Sequence, residues 1–233
     1  MKRGSFAAFF VGVAVVLAGC KKGEQPSQQM GAMGMGGADY TVVVKSTWTA
    51  ATHPLEYPAA GPLSGPHFSG IIGASHNAGY AVFAEGTPPT PGLERLSEEG
   101  KHNPLDDEIR AAIAAGTAGI LVETGPLRDF NDSLVATVHV DSLHPMVSMV
   151  MMVAPSPDWF TGVSNVNLME NGQWVAAKTF DLLAWDSGGD DGTTYKAPDM
   201  DTNPKKPTSR GMTPHFVING SVVPVGTLTI TRQ

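Results

Sequence analysis

The chain has 233 residues, 15 Lys and Arg against 22 Asp and Glu, and a net charge of −7. That acidic balance excludes a phosphate-tracking nucleic-acid binder and disfavours docking on anionic lipid unless a divalent cation bridges the two. A single cysteine excludes an internal disulfide framework.

Met1 to Cys20 reads as an export signal. Lys2 and Arg3 form a basic start, Phe6 to Leu17 an apolar run too short to span a bilayer, and Leu17-Ala18-Gly19-Cys20 a lipobox. The expectation is removal of residues 1–19, lipid modification of Cys20 and firm anchoring, since each buried methylene adds about 0.8 kcal/mol. Lys21 stands where an Asp would direct inner-membrane retention, so in a Gram-negative host the anchor points to the outer membrane, on its periplasmic or cell-surface face. Loss of Lys2 and Arg3 takes the basic count from 15 to 13 against 22 acids, a mature charge near −9. Residues 20–39 then form the lipidated cysteine and a tether. Gln, Ser, Gly and Met there supply almost no large apolar side chains, and Met30, Met33 and Met35 fit a linker better than a Cu(I) site.

The folded domain is expected over residues 40–233, mainly β, as an antiparallel sandwich with one or two short helices in its connections. Tyr40 to Trp48 is rich in β-branched and aromatic residues and reads as a strand. Ala51 to Gly70 carries four prolines and reads as a long irregular connection. His53, His67 and His76 match no metal spacing and are assigned to packing or surface. Gly79 to Ala84 reads as a short strand.

Pro91 to Gly100 and Asn103 to Gly116 both read as helices, each closed by a glycine, with Asn103 as N-cap of the second. Leu105, Ile109 and Ile113 make one apolar stripe, which would cover an edge or end of the sheet. Strands follow at Gly119–Glu123, Ser133–Val140 and Pro145–Val153. The second of these alternates, while the third is apolar on both faces and suits a central strand. Trp159–Val163, Gln173–Leu183 and Thr227–Thr231 complete the set, with an Asn219-Gly220 turn between the short runs Phe216–Ile218 and Ser221–Val223.

Chemistry concentrates between Ser156 and Tyr195. Two acidic, Gly/Pro-punctuated loops, Pro155–Trp159 and Asp186–Gly192, would bring Asp158, Asp186 and Asp190 together at one end of a sandwich. Carboxylates about 5 Å apart repel by about 3 kcal/mol per pair at an effective dielectric of about 20. They therefore call for a cation, a proton or a looser arrangement. Oxygen ligands on such loops suit calcium rather than zinc or copper. Asp-Gly sequences also serve simply as turn formers, and residue type alone does not choose. An EF-hand is excluded, because the twelfth position from Asp186 is Ala197.

S156-P-D-W-F-T-G-V-S164, Trp174 and L183-A-W-D-S-G-G-D-D-G-T-T-Y195 resemble the signature of the spondin N-terminal domain. T47-W-T-A-A-T-H-P54, P66-H-F-S-G-I-I-G-A-S-H-N77, G92-L-E-R-L-S-E-E-G100 and H144-P-M-V-S-M-V-M-M-V153 agree, so the likeness spans roughly Tyr40 to Arg210. Ser187-Gly188-Gly189 departs from the usual Ala-Gly-Thr without touching the acids. Cysteines of eukaryotic members are missing, so no disulfide carries over. The resemblance implies a sandwich like the calcium- and phospholipid-binding fold, with calcium held by Asp158, Asp186 and Asp190, and Asp191 as the rival third ligand. It implies a non-catalytic adhesion or matrix module whose partner is an extracellular protein, a glycan or envelope material. The alternative is a cell-surface hydrolase using a metal or a Ser/His pair. Ser75-His76 and Ser164 are its obvious residues, but neither serine lies in G-x-S-x-G.

Overall fold

The computed structural model describes residues 36–61 and 65–233. The Cys20 anchor and the methionines at 30, 33 and 35 lie outside the described residues. In chain order, β1 (Ala38–Ser46) is followed by the short β2 (His67–Phe68) and by β3 (Ile72–His76). Two helices come next, α1 (Pro91–Glu99) and α2 (Leu105–Ala114). The strands β4 (Ala118–Glu123), β5 (Leu134–Val140), β6 (Met146–Ala154) and β7 (Trp159–Asn167) carry the chain to the acidic region. The small pair β8 (Met169–Glu170) and β9 (Gln173–Trp174) leads to β10 (Ala177–Leu182) and β11 (Ala184–Asp186). β12 (Ser209–Arg210), β13 (Val217–Ile218), β14 (Ser221–Val222) and β15 (Gly226–Arg232) finish the chain.

Among the described residues these make two main antiparallel sheets and two small two-stranded ones, β8-β9 and β13-β14. One has the order β10-β15-β1-β5; the other runs β12-β11-β7-β6-β3-β4, with β2 added beside β6. β5 has the expected alternation, burying Leu134, Ala136, Val138 and Val140 against solvent-facing Val135, Thr137 and His139. Their inward residues meet Val42, Val44, Leu228 and Ile230 from the same sheet and Val147, Met149, Met151, Val153 and Val163 from the other. This is the core between the two sheets of a sandwich.

A second core lies on the outer face of the larger sheet. Ile72, Ala74, Val150, Phe160 and Trp185 pack there beneath Leu93, Leu96, Leu105, Ile109 and Ala112 of the helices. The helices thus cover a sheet face, not an edge or end, making a third layer. That explains β6, which is buried from Val147 to Ala154 on both faces, as the unbroken apolar run predicts. α1 is capped by the Thr90 hydroxyl, which accepts from Leu93 N at 3.1 Å, and closed by left-handed Gly100. Asn103 does not cap α2. The cap position is Pro104, and the Asn103 amide donates instead to the Asp106 and Asp107 carboxylates at 3.0 and 2.9 Å.

Three stretches differ from their sequence reading. Residues 79–84 form no strand; Val82 and Phe83 are buried in the helix-side core, and the Phe83 carbonyl accepts from the Ser164 hydroxyl at 2.6 Å instead of a ladder partner. The connection 51–70 is not all irregular, because His67 and Phe68 at its end form β2 and pair with β6. The expected strand at 173–183 is split. β10 pairs with β15 in the small sheet while β11 pairs with β7 in the large one, so the chain crosses between sheets at Leu183.

Candidate metal centre

β6 delivers the chain to the loop that ends in Asp158, immediately before β7. β11 is registered on β7 with Asp186 opposite Trp159. Neighbouring strands therefore place Asp158 and Asp186 at the same end of the larger sheet. Asp158 is fully buried. Its Oδ2 accepts from the Ser187 hydroxyl and from Gly188 N and Gly189 N, each at 2.9 Å, and from Asp190 N at 3.2 Å. Successive amides from one tight loop form an anion-binding concavity. Gly188 is left-handed at φ +84, and a Cβ there would collide with the Lys206 carbonyl, so the loop needs glycine at that point.

Asp158 Oδ1, by contrast, is buried with no hydrogen-bond partner. Asp186 is half-buried, and its Oδ1 accepts from the same Gly188 N at 2.9 Å. The two carboxylate oxygens thus share one donor and lie within twice that distance of each other. Burial pushes the Asp158 carboxyl up, against the hydrogen bonds that favour its charge. The Asp186 carboxyl is pushed up to about 6, by burial first and by the Asp158 charge second. Both shifts report anions without enough positive charge nearby.

Asp190 is buried and belongs to the same loop, but its side chain is turned along it. Oδ1 accepts from Gly192 N at 2.5 Å and Oδ2 from Met200 N at 2.6 Å. Asp191 is exposed and bonds the Thr202 hydroxyl at 2.8 Å and Lys206 Nζ at 2.5 Å. The Lys206 ammonium holds its carboxyl below the usual range. Among the described residues, no group of three or more His, Cys, Asp or Glu side chains stands ready to hold a metal. The structure brings Asp158 and Asp186 together and leaves Asp190 one turn of loop away.

Glu98 is the acid the helical pattern hides. α1 lies over the loop, and Glu98 Oε1 comes within 2.9 Å of where a Cβ on Gly189 would sit. Its carboxyl is pushed up to about 7, by burial and then by the charges of Glu94, Asp158 and Asp190, with Lys205 opposing. Lys205 Nζ pairs with Glu94 at 2.7 Å and donates to the Gly189 carbonyl at 3.2 Å. A cleft of about 240 Å³ opens here, bounded by Glu98, Ser156, Pro157, Asp190 and Asp199. The signal available in the sequence was the pair of acids four apart, Glu94 and Glu98, on a helix whose apolar face packs on the same sheet.

The histidines assigned to packing or surface, and the serines of the hydrolase alternative, have other partners. His53 is buried between Thr52 and the Val223 carbonyl, and His67 bonds the Gly65 carbonyl. Ser75 accepts from Ile120 N, and Ser164 donates to Phe83. His76 Nε2 lies 2.7 Å from the hydroxyl of Ser148, a residue the sequence did not single out. Both side chains are 0% exposed, and Ser148 Oγ also accepts from Asn165 N at 2.9 Å. The pair clips β3, β6 and β7 together with no path for a substrate to the hydroxyl.

The family model described as Spondin_N matches residues 38–217. Human spondin-2 is 30% identical over 169 residues, which are 72% of this chain and 50% of that protein. Rat spondin-1 is 30% identical over 184 residues, 73% of this chain and 21% of that protein. Spondin-1 of Xenopus laevis is 28% identical over 216 residues, 84% of this chain and 25% of that protein. The chain spans about half the length of the spondin-2 it matches and about a fifth of the mammalian spondin-1.

Proposed function

Because the chain belongs to the spondin N-terminal domain family, we propose that it is a non-catalytic, calcium-binding adhesion or matrix-interaction module, held on the bacterial outer membrane by lipid at Cys20. One observation supports the metal: a fully buried carboxylate oxygen, Asp158 Oδ1, lacks any hydrogen-bond partner, while the other oxygen of that carboxylate shares the Gly188 N donor with a second carboxylate, Asp186. An unmatched buried oxygen costs about 1–3 kcal/mol, more when charged, unless something positive meets it. Asp158, Asp186 and Asp190 are the proposed ligands. The amide bonds to Asp190 leave lone pairs on both of its oxygens, so it can still complete an oxygen-only set. Calcium would neutralise the acids and fix the loop against β7 and α1. Its affinity should be that of extracellular modules, with a dissociation constant of about 10⁻⁴–10⁻³ M.

The partner is an extracellular protein, a glycan or envelope material, met without bond-making or bond-breaking. Relatedness to spondins supports the extracellular setting, and among the described residues no helix is long and apolar enough to cross a membrane. The test is thermal unfolding in EDTA and across a calcium titration, with Asp158→Asn, Asp186→Asn and Asp190→Asn in parallel. A rise in midpoint with calcium that all three variants lose is expected. No rise by about 10 mM calcium, an excess over that dissociation constant, would remove the metal from the proposal.

A further inference from the structure

α1 turns two acids toward the 187–190 loop, Glu94 and Glu98, spaced four apart and therefore on one face of the helix. Glu94 Cγ and Glu98 Oε1 stand 3.1 and 2.9 Å from where a Cβ on Gly189 would sit. Their partners differ. Glu94 is paired with Lys205 Nζ at 2.7 Å. Glu98 is half-buried and, among the described residues, its carboxylate meets no hydrogen-bond donor and no ion-pair partner. Lys205 cannot supply one. An ammonium has three N–H donors, and Glu94, Asp201 and the Gly189 carbonyl take all three. Lys206 is engaged with Asp191, and Arg95 and Lys101 with Glu99. A part-buried carboxylate whose neighbouring cations are all committed costs stability until something positive meets it.

The surroundings of Glu98 are those of the proposed metal centre. Glu98 and Asp190 border the same cleft. Gly189, against which Glu98 lies, gives its amide to Asp158 Oδ2 at 2.9 Å, and Asp190 gives its own to the same oxygen at 3.2 Å. The other oxygen of that fully buried carboxylate, Asp158 Oδ1, has no partner. Two unmet carboxylates, one from the sheet and one from the helix layer, thus adjoin the same two residues, Gly189 and Asp190.

We propose that Glu98 is a further calcium ligand, the one that ties α1 to the 187–190 loop. Calcium takes about six to eight oxygens, so Asp158, Asp186 and Asp190 leave places open. A glutamate reaches one methylene further than an aspartate, and Glu98 breaks no hydrogen bond when it moves. The inference rests on the calcium reading and adds a residue to its ligand set.

The experiment titrates calcium into the full chain at fixed ionic strength, with Glu98→Gln and Glu99→Gln in parallel. The melting midpoint across the titration gives the dissociation constant, and hydrogen exchange reads the protection of α1. Glu98→Gln is expected to weaken calcium binding about tenfold or more, the usual loss at a metal site. Calcium should protect α1 in the wild type and not in this variant. In EDTA, Glu98→Gln should melt no lower than the wild type, because the amide replaces a charge that nothing meets; this separates a lost ligand from lost packing. Glu99→Gln removes the same charge from the same turn, but from an exposed side chain paired with Lys101, and should leave the affinity within about twofold. A wild type that responds to calcium while Glu98→Gln binds equally well, or while Glu99→Gln is weakened as much, overturns the assignment of Glu98 alone. A wild type with no calcium response defeats the calcium reading and this assignment with it.

Discussion

Removing the Asp158 carboxylate in two ways separates its two roles. In Asp158→Ala the four donors on Oδ2 lose their acceptor, but not all are orphaned. Gly188 N keeps Asp186 Oδ1, and Gly189 N keeps the Ser187 hydroxyl at 3.2 Å. Asp190 N and the Ser187 hydroxyl proton are left with nothing. At about 1–3 kcal/mol for each buried unsatisfied donor, the alanine should cost about 2–6 kcal/mol. Asp158→Asn keeps an acceptor oxygen for the loop and removes a buried charge that its surroundings already disfavour. In EDTA it should cost no more than about 1 kcal/mol. The proposed calcium should reverse the comparison: at a hundredfold excess over the dissociation constant the wild type is expected to gain about 2.7 kcal/mol and the asparagine nothing. Urea unfolding followed by the buried tryptophans measures all six combinations. Alanine and asparagine costing the same in EDTA, or alanine costing under about 1 kcal/mol, would refute the claim that Asp158 organises the 187–190 amides.

Three further outcomes are expected. His76 is buried and its imidazole is held below the ordinary value of 6.5, chiefly by burial. A depressed histidine contributes stability above the unfolded value that is lost as pH falls below it, at up to about 1.4 kcal/mol per pH unit. The destabilisation caused by His76→Asn should therefore shrink on acidification from pH 7, and the His76 ring proton should titrate below 6.5 by NMR. Ile109→Ala, at the fully buried centre of the α2 stripe, should cost about 2–5 kcal/mol in urea unfolding; a cost under about 1 would contradict helices that cover a sheet face. Gly220 sits at φ +78 with nothing within 4 Å of a Cβ, so Gly220→Ala should cost about 1 kcal/mol from backbone conformation alone. An unchanged midpoint there would mean that the turn relaxes.

Patterns with a strong period were legible in advance. The alternation of 134–140 and the two-sided run of 146–154 placed one strand against solvent and the other in the middle of three layers, since burial follows side-chain spacing directly. Asn219-Gly220 gave its turn, with φ +51 and +78. What failed depended on contacts far along the chain. Residues 79–84 look like a strand, yet Phe83 finds Ser164 81 residues later and no ladder. The sheet crossing at Leu183 is decided by which distant strands the two halves meet, β15 for one and β7 for the other, and the local pattern does not encode that choice. Asp158 and Asp186 were legible as a pair because each ends or precedes a recognisable strand. The orientation of Asp190 was not, being decided by Gly192 and Met200 amides in an irregular loop. Glu98 stayed hidden because a helix that packs on the sheet brings its polar edge to the loop only in three dimensions.

The placement of β1 bears on how this molecule would carry mechanical load. β1 lies between β5 and β15 and is held by seven register pairs on each side. A pull on its N-terminal end, along its axis and away from a partner gripped elsewhere on the domain, stresses both ladders in shear. Their hydrogen bonds then resist together instead of parting one at a time. The last residue lies beside that entry, with Gln233 N donating to the Asp39 carbonyl at 2.9 Å. A tension that draws the start of β1 away from the end of β15 would instead peel the two apart pair by pair, starting at Arg232 and Tyr40. The same two strands are therefore strong against traction along β1 and weak against a pull that parts Tyr40 from Arg232.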